Sequence, residues 1–93
     1  MTKAYQSVWD AIESSPAEAA SMKARADLMH AVRDVVDKWD VTQVQAAKRL
    51  HISQPRLNDL LRGKLGKFSL DALVGLAVHA GLKVSVRIAK QAA

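Results

Sequence analysis

Gln54, Arg56, Asn58, Asp59 and Arg62 fall within a run of nine residues, and each ends in a group able to recognise a hydrogen-bonding edge. An amide offers adenine a donor and an acceptor together, and a guanidinium fork matches the two acceptors of guanine. Asp59 is as ready to pair with Arg56 or Arg62 as to accept from cytosine. Lys64 and Lys67 follow closely, and ammonium groups there would neutralise phosphates without reading sequence. Gln43 and Ser53 stand where two helices are expected to start, so the N–H groups and dipole of each helix would attract phosphate as well. The chemistry implied is base and backbone recognition on a double-stranded polyanion. Lys48 and Arg49, on the preceding helix, are expected to be solvated.

Other chemistries find little support. The chain has no cysteine, which removes disulfides, thiolate nucleophiles and zinc-thiolate sites. His30, His51 and His79 have no metal-ligand spacing, and no glycine elbow surrounds a serine that could act as a nucleophile. The expectation is a protein that is not an enzyme and needs no metal or cofactor. Aromatic residues make up 4% of the chain, too few for recognition by stacking on single strands. No apolar run approaches the ~18–20 residues of a membrane span, and Met1–Gln6 lacks the apolar stretch of a signal peptide. A cytoplasmic location and no membrane partner are therefore expected. Ninety-three residues suit one domain with one modest core. Charge is divided unevenly along it. Residues 1–40 carry five basic against seven acidic side chains, a net −2, whereas residues 41–93 carry nine against two, a net +7. Such a division suggests a polyanion for the second part.

The elements that must position these residues can be traced by their caps. Ser15 and Pro16 open a helix that runs unbroken in pattern to Trp39, with Leu28, Val32, Val35, Val36 and Trp39 as its apolar stripe. Such a helix would be ~36 Å long, more than a small bundle can cover, so a break near Ser21 or a projecting first turn is expected. Thr42 and Gln45 form a capping-box pattern for a second helix ending at Leu50, with Val44, Ala47 and Leu50 inward. Ser53 caps a third helix with Leu57, Leu60 and Leu61 inward, and Gly63 ends it. Ser69 caps a fourth, which carries Leu70, Leu73, Val74, Leu76 and Ala77 and closes at Gly81. Gly75 within it suggests a close helix contact. Met22 and Met29 read as packing residues. Beyond Gly81 the period changes. Leu82, Val84, Val86 and Ile88 alternate with Lys83, Ser85, Arg87 and Ala89, which predicts a half-buried strand. One strand alone leaves its ladder groups unpaired, so Val84, Val86 and Ile88 are expected to form a dimerisation strand with a second copy.

Two short helices joined by a tight turn, with the small Ala47 where they approach, make the layout of a helix-turn-helix. Here Thr42-Gln43, Ala47, Leu50, Ile52-Ser53-Gln54-Pro55, Leu57 and Leu60 through Lys64 resemble the Xre/Cro/cI helix-turn-helix. The continuation Phe68–Leu73 with Gly81–Val86 resembles its HigA-like antitoxin branch. The resemblance implies DNA contacts at Gln43, Ser53, Gln54, Pro55, Arg56, Asn58 and Arg62, to which the residue chemistry adds Lys64 and Lys67. It also implies a homodimer on double-stranded operator DNA that represses its own toxin–antitoxin operon and neutralises an RNase toxin. The family usually has glycine where this chain has His51, at a position that often needs a left-handed backbone.

The expected architecture is an all-α, four-to-five-helix Xre-type helix-turn-helix domain over residues 15–82, with a dimerisation strand and tail over 83–93. Residues 1–14 form a separate arm in which Tyr5, Val8, Trp9 and Ile12 lie at helical spacing. That face either folds back on the core or docks on a partner. Two other functions stay open on the sequence: a stand-alone Xre-family repressor with no toxin, and a protein-interaction module using the Tyr5–Ile12 face.

Overall fold

The computed structural model describes residues 15–91, so the arm that carries Tyr5, Val8, Trp9 and Ile12 lies outside the described residues. Within them the chain is all-α. Helix α1 spans Pro16–Trp39, α2 Gln43–Leu50, α3 Gln54–Leu61 and α4 Leu70–His79, with a short 3-10 turn at Leu65–Lys67. Each helix starts where its cap was expected. The Ser15 hydroxyl accepts from the Glu18 N–H, Ser53 from Arg56 at 3.3 Å and Ser69 from Ala72 at 3.0 Å. Thr42 and Gln45 complete a reciprocal capping box, with Thr42 Oγ1 accepting from Gln45 N–H and Gln45 Oε1 accepting from Thr42 N–H. Because such bonds join residues only three apart, they hold whatever the rest of the chain does.

Helix α1 is unbroken at Ser21. Pro16, Ala17, Glu18 and Ala20 are exposed instead, and its first buried residue is Met29. The excess length therefore projects. Helix α1 packs chiefly along α4, while α2 packs on α3. Val32, Leu50, Leu57, Leu60, Phe68 and Leu73 are fully buried between them. Leu28, Val35, Val36 and Trp39 flank this core half-buried. The outer face of α1 carries solvated ion pairs, Lys23–Asp27 at 3.1 Å and Asp34–Lys38 at 3.2 Å.

One inward assignment fails. Val44 is exposed, and Ala46 joins Ala47 and Leu50 as the buried stripe of α2. At ~100° per residue, Val44 lies ~115° from the centre of that stripe, too far round to reach the core. Leu70, at the first position of α4, is 38% exposed, whereas Leu73, Leu76 and Ala77 are buried. Gly75 serves no close contact: a Cβ there would meet nothing within 4 Å among the described residues.

The turns that end α2, α3 and α4 share one device. A residue in the left-handed region reverses the chain, and the next N–H bonds back to a carbonyl of the last turn. Gly63 and Gly81 do this at φ of 72° and 87°, with Lys64 N–H donating to the Asp59 carbonyl at 3.0 Å and Leu82 N–H to Ala77 at 2.9 Å. After α2 the residue is His51, at φ 60° and ψ 40°. Ile52 N–H completes the turn by donating to the Ala47 carbonyl at 3.0 Å. Histidine costs more than glycine in this conformation, and the structure sets a contact against that cost. The His51 ring lies 4.3 Å from that of His79, whose Nδ1 is 3.2 Å from the Leu50 carbonyl. The helix-turn-helix bend thus keeps its shape without glycine, braced by the last turn of α4. Asp40 takes the same backbone region after α1, at φ 52°.

The expected strand is not formed. Residues 82–91 carry no ladder among the described residues, and the all-α description holds for them without exception. Leu82 and Val84 lie against the core, but Val86 and Ile88 are 84% and 89% exposed. A strand exists only through its ladder, and no second strand within residues 15–91 is available to make one.

Candidate nucleic-acid interface

Helices α2 and α3 form a two-helix unit held by the buried Ala46, Ala47, Leu50, Leu57 and Leu60. The small alanines let α2 approach α3 closely, and the leucines seat both on α1 and α4. The side of α3 turned away from this core is polar. Gln54, Pro55, Asn58 and Arg62 are all exposed, as are Gln43 and Ser53 at the two helix starts. Gln54, Asn58 and Arg62 follow one another at intervals of four, so they lie along one edge of the helix. Their side chains make no hydrogen bond to other described residues. Among the described residues nothing occupies that edge, which leaves its donors and acceptors available to a ligand.

The first turns of α2 and α3 hold no acidic residue. Their positive dipole ends therefore carry no carboxylate within the first turn to compete with an incoming anion. Ser53 already spends one acceptor lone pair on Arg56 N–H, but its hydroxyl proton stays available as a donor. Lys64 and Lys67 are exposed on the loop that leaves α3. Ser53, Gln54, Pro55, Asn58, Arg62, Lys64 and Lys67 thus lie exposed along one stretch of chain, and Gln43 sits at the neighbouring helix start.

Arg56 is arranged differently. It is half-buried, donates from Nη1 to the Lys67 carbonyl at 2.7 Å, and lies 4.1 Å from the centre of the Phe68 ring. Asp59 pairs neither with Arg56 nor with Arg62. Its partner is Lys64, at 3.5 Å, brought within reach by the left-handed turn at Gly63. Phe68 carried no functional signal in the sequence, yet it forms the floor under Arg56. An Arg–aromatic spacing of twelve residues has no local rule that could have revealed it. Arg49 is held over the Trp39 ring at 5.0 Å, on the α1–α2 corner. Trp39 is therefore a half-buried rim residue covered by a cation.

Among the described residues no group of three or more His, Cys, Asp or Glu side chains could hold a metal ion. No described helix is long and apolar enough to cross a membrane. A cleft of about 530 Å³ is lined by His30, Arg33, Asp34, Asp37 and Leu61 and holds none of the reading residues.

Comparison with known proteins agrees with this geometry. Residues 11–89 match the family described as a helix-turn-helix domain. A solved structure described as an XRE family transcriptional regulator superposes with a TM-score of 0.73 at 31% identity, covering 80% of this chain and 83% of that one. No curated protein matches. With capped helices α2 and α3, the bend at His51 and a match over nearly the whole length, the chain belongs to the helix-turn-helix domain family and is of the Xre type.

Proposed function

We propose that this chain is a sequence-specific DNA-binding transcriptional regulator, acting as a homodimeric repressor in the cytoplasm and not as an enzyme. The observation that carries the reading is the exposed, unbonded edge Gln54–Asn58–Arg62 on the second helix of the two-helix unit. In a major groove about 12 Å wide, such a helix presents its amides to adenine and its guanidinium to guanine. Lys64, Lys67 and the N-termini of α2 and α3 then hold the flanking phosphates. Pro55 lies at the entry to the groove, where a ring with no N–H can rest on the T methyl. Two copies would place their α3 helices ~34–36 Å apart on a palindromic site.

The test is selection of duplexes from a randomised pool, followed by quantitative binding of the selected site. Gln54→Ala and Asn58→Ala should each cost about 1–3 kcal/mol and relax the preference at one base pair per half-site. Selection of the same consensus by both variants, at wild-type affinity, would remove α3 from the role of reader.

The finer reading is an antitoxin that represses its own operon and neutralises an RNase toxin. It is supported by the charge division, net −2 over residues 1–40 against +7 over 41–93. An acidic first part complements a basic nuclease, and Tyr5, Val8, Trp9 and Ile12, at helical spacing in the sequence, would offer it apolar side chains with Trp9 as anchor. Deleting residues 1–14 should then abolish co-purification with the product of the adjoining reading frame and leave duplex affinity within about twofold of wild type, since no reading residue is removed. Retained capture by the truncated chain would assign partner binding elsewhere. Absence of any such partner favours a stand-alone Xre-type repressor.

A further inference from the structure

The two edges of α3 have different environments. Gln54, Asn58 and Arg62 are exposed, while Arg56 and Asp59, three residues apart, are half-buried. Residues at that spacing share one side of a helix, and this side is turned toward the segment that follows. Arg56 donates to the Lys67 carbonyl at 2.7 Å and covers the buried Phe68 ring at 4.1 Å. Asp59 holds Lys64 twice, through its carboxylate at 3.5 Å and through its carbonyl, which accepts Lys64 N–H at 3.0 Å. The loop 64–68 is therefore tied to the recognition helix at both ends. Between the ties lies Gly66, with nothing within 4 Å of the position a Cβ would take.

We infer that Arg56 is a positioning residue for phosphate contacts and does not itself read a base. The inference rests on the DNA-binding reading of the same surface. A bidentate guanine contact needs two N–H groups of a free guanidinium fork. Here one of the five N–H donors is committed to a carbonyl, one face of the plane is committed to an aromatic ring, and the half-buried side chain is turned toward the loop and away from the Gln54–Asn58–Arg62 edge. Releasing the fork would also release Lys67, whose carbonyl it holds. With the clamp closed, the Lys67 backbone stands at a fixed register from Gln54 and Asn58, and the loop is ordered before DNA arrives. The ordering cost then falls on folding and not on binding. Discrimination is left to Gln54, Asn58 and Arg62, while Arg56 sets the strength of the sequence-independent contacts through the loop.

Arg56→Gln and Arg56→Lys in the full chain separate these roles by three measurements: duplex selection, salt dependence of binding to the selected duplex, and amide exchange in the free protein. Arg56→Gln should select the same consensus as wild type and bind every duplex about tenfold more weakly. Its log K against log salt slope should be shallower by about 0.9 for each phosphate no longer neutralised. The Lys67 and Phe68 amides, which donate to the Lys64 and Leu65 carbonyls, should exchange faster, with protection in α1 and α4 retained. Arg56→Lys keeps a cation over Phe68 and should fall between the two in affinity, again with an unchanged consensus. A preference relaxed at one base pair with the wild-type salt slope would overturn the inference, because that is the signature of a base reader. So would unchanged exchange at Lys67 and Phe68. If the wild-type chain selects no duplex, the DNA-binding reading fails by itself, and the exchange result still judges the clamp.

Discussion

Phe68→Ala is expected to lower the unfolding free energy by about 3–5 kcal/mol, the usual cost of emptying a buried aromatic site. Phe68 is 1% exposed and is the largest of the fully buried side chains. It follows the 3-10 turn, which packs on α1, and its ring carries Arg56 on its outer face at 4.1 Å. Removing the ring therefore opens a cavity in the core and withdraws the support of the loop together. A domain of this size has a total stability of about 5–14 kcal/mol, so the variant should unfold roughly 15–30 °C below wild type. Urea denaturation followed by far-UV circular dichroism would read it, with the midpoint moving and the slope unchanged. A loss below about 1 kcal/mol, typical of a surface change, would mean that the ring is not part of the core.

The contrast between Phe68 and Arg56 also marks where the sequence becomes hard to read. Caps at Ser15, Thr42, Ser53 and Ser69 were legible because each bond joins residues three apart. The buried faces of α3 and α4 were largely legible for a similar reason, since helical period alone picks out Leu57, Leu60, Leu73, Leu76 and Ala77. Val44 was misplaced because a helix of eight residues shows too few periods to fix the direction of its stripe. Ala46, small and buried, gave less hydrophobic signal than an exposed valine. At Arg56 the difficulty is of another kind. Residue type and position both favoured base recognition, and contacts across eleven and twelve residues, to the Lys67 carbonyl and the Phe68 ring, hold the side chain against the loop. His51 shows the reverse: the missing glycine was visible, but the His79 ring that braces the bend lies 28 residues further on.

If the proposed homodimer forms through residues 83–89, Val86→Pro is expected to leave the chain monomeric and to weaken binding to a palindromic duplex by about 10²–10⁴-fold, the range lost when two linked binding events become one. The reading behind it is that residues 83–89 pair antiparallel with the same segment of a second copy. Val86 and Ile88 are the most exposed large apolar residues described, at 84% and 89%. Val86 borders a groove of about 540 Å³ whose apolar walls include Ala24, Leu28, Ala31, Leu70 and Val74 of α1 and α4. Pairing would cover this apolar row and satisfy the backbone groups of a segment that makes no ladder within residues 15–91. Proline removes the ladder donor at its own position and fixes φ near −65°, so it interrupts pairing at the centre of the strand. The helices should be unaffected, because residue 86 touches the core less than Leu82 or Val84 do. Unchanged far-UV dichroism and melting of the isolated monomer would show this. Sedimentation velocity should give a single slower species, and each half-site duplex should be bound as by wild type. With one protomer in place of two, the salt slope on the full palindrome should fall to about half, as the number of phosphates neutralised halves. A proline variant that still sediments as a dimer would exclude this segment from the interface, and the exposed Val78 on α4 would become the next surface to test.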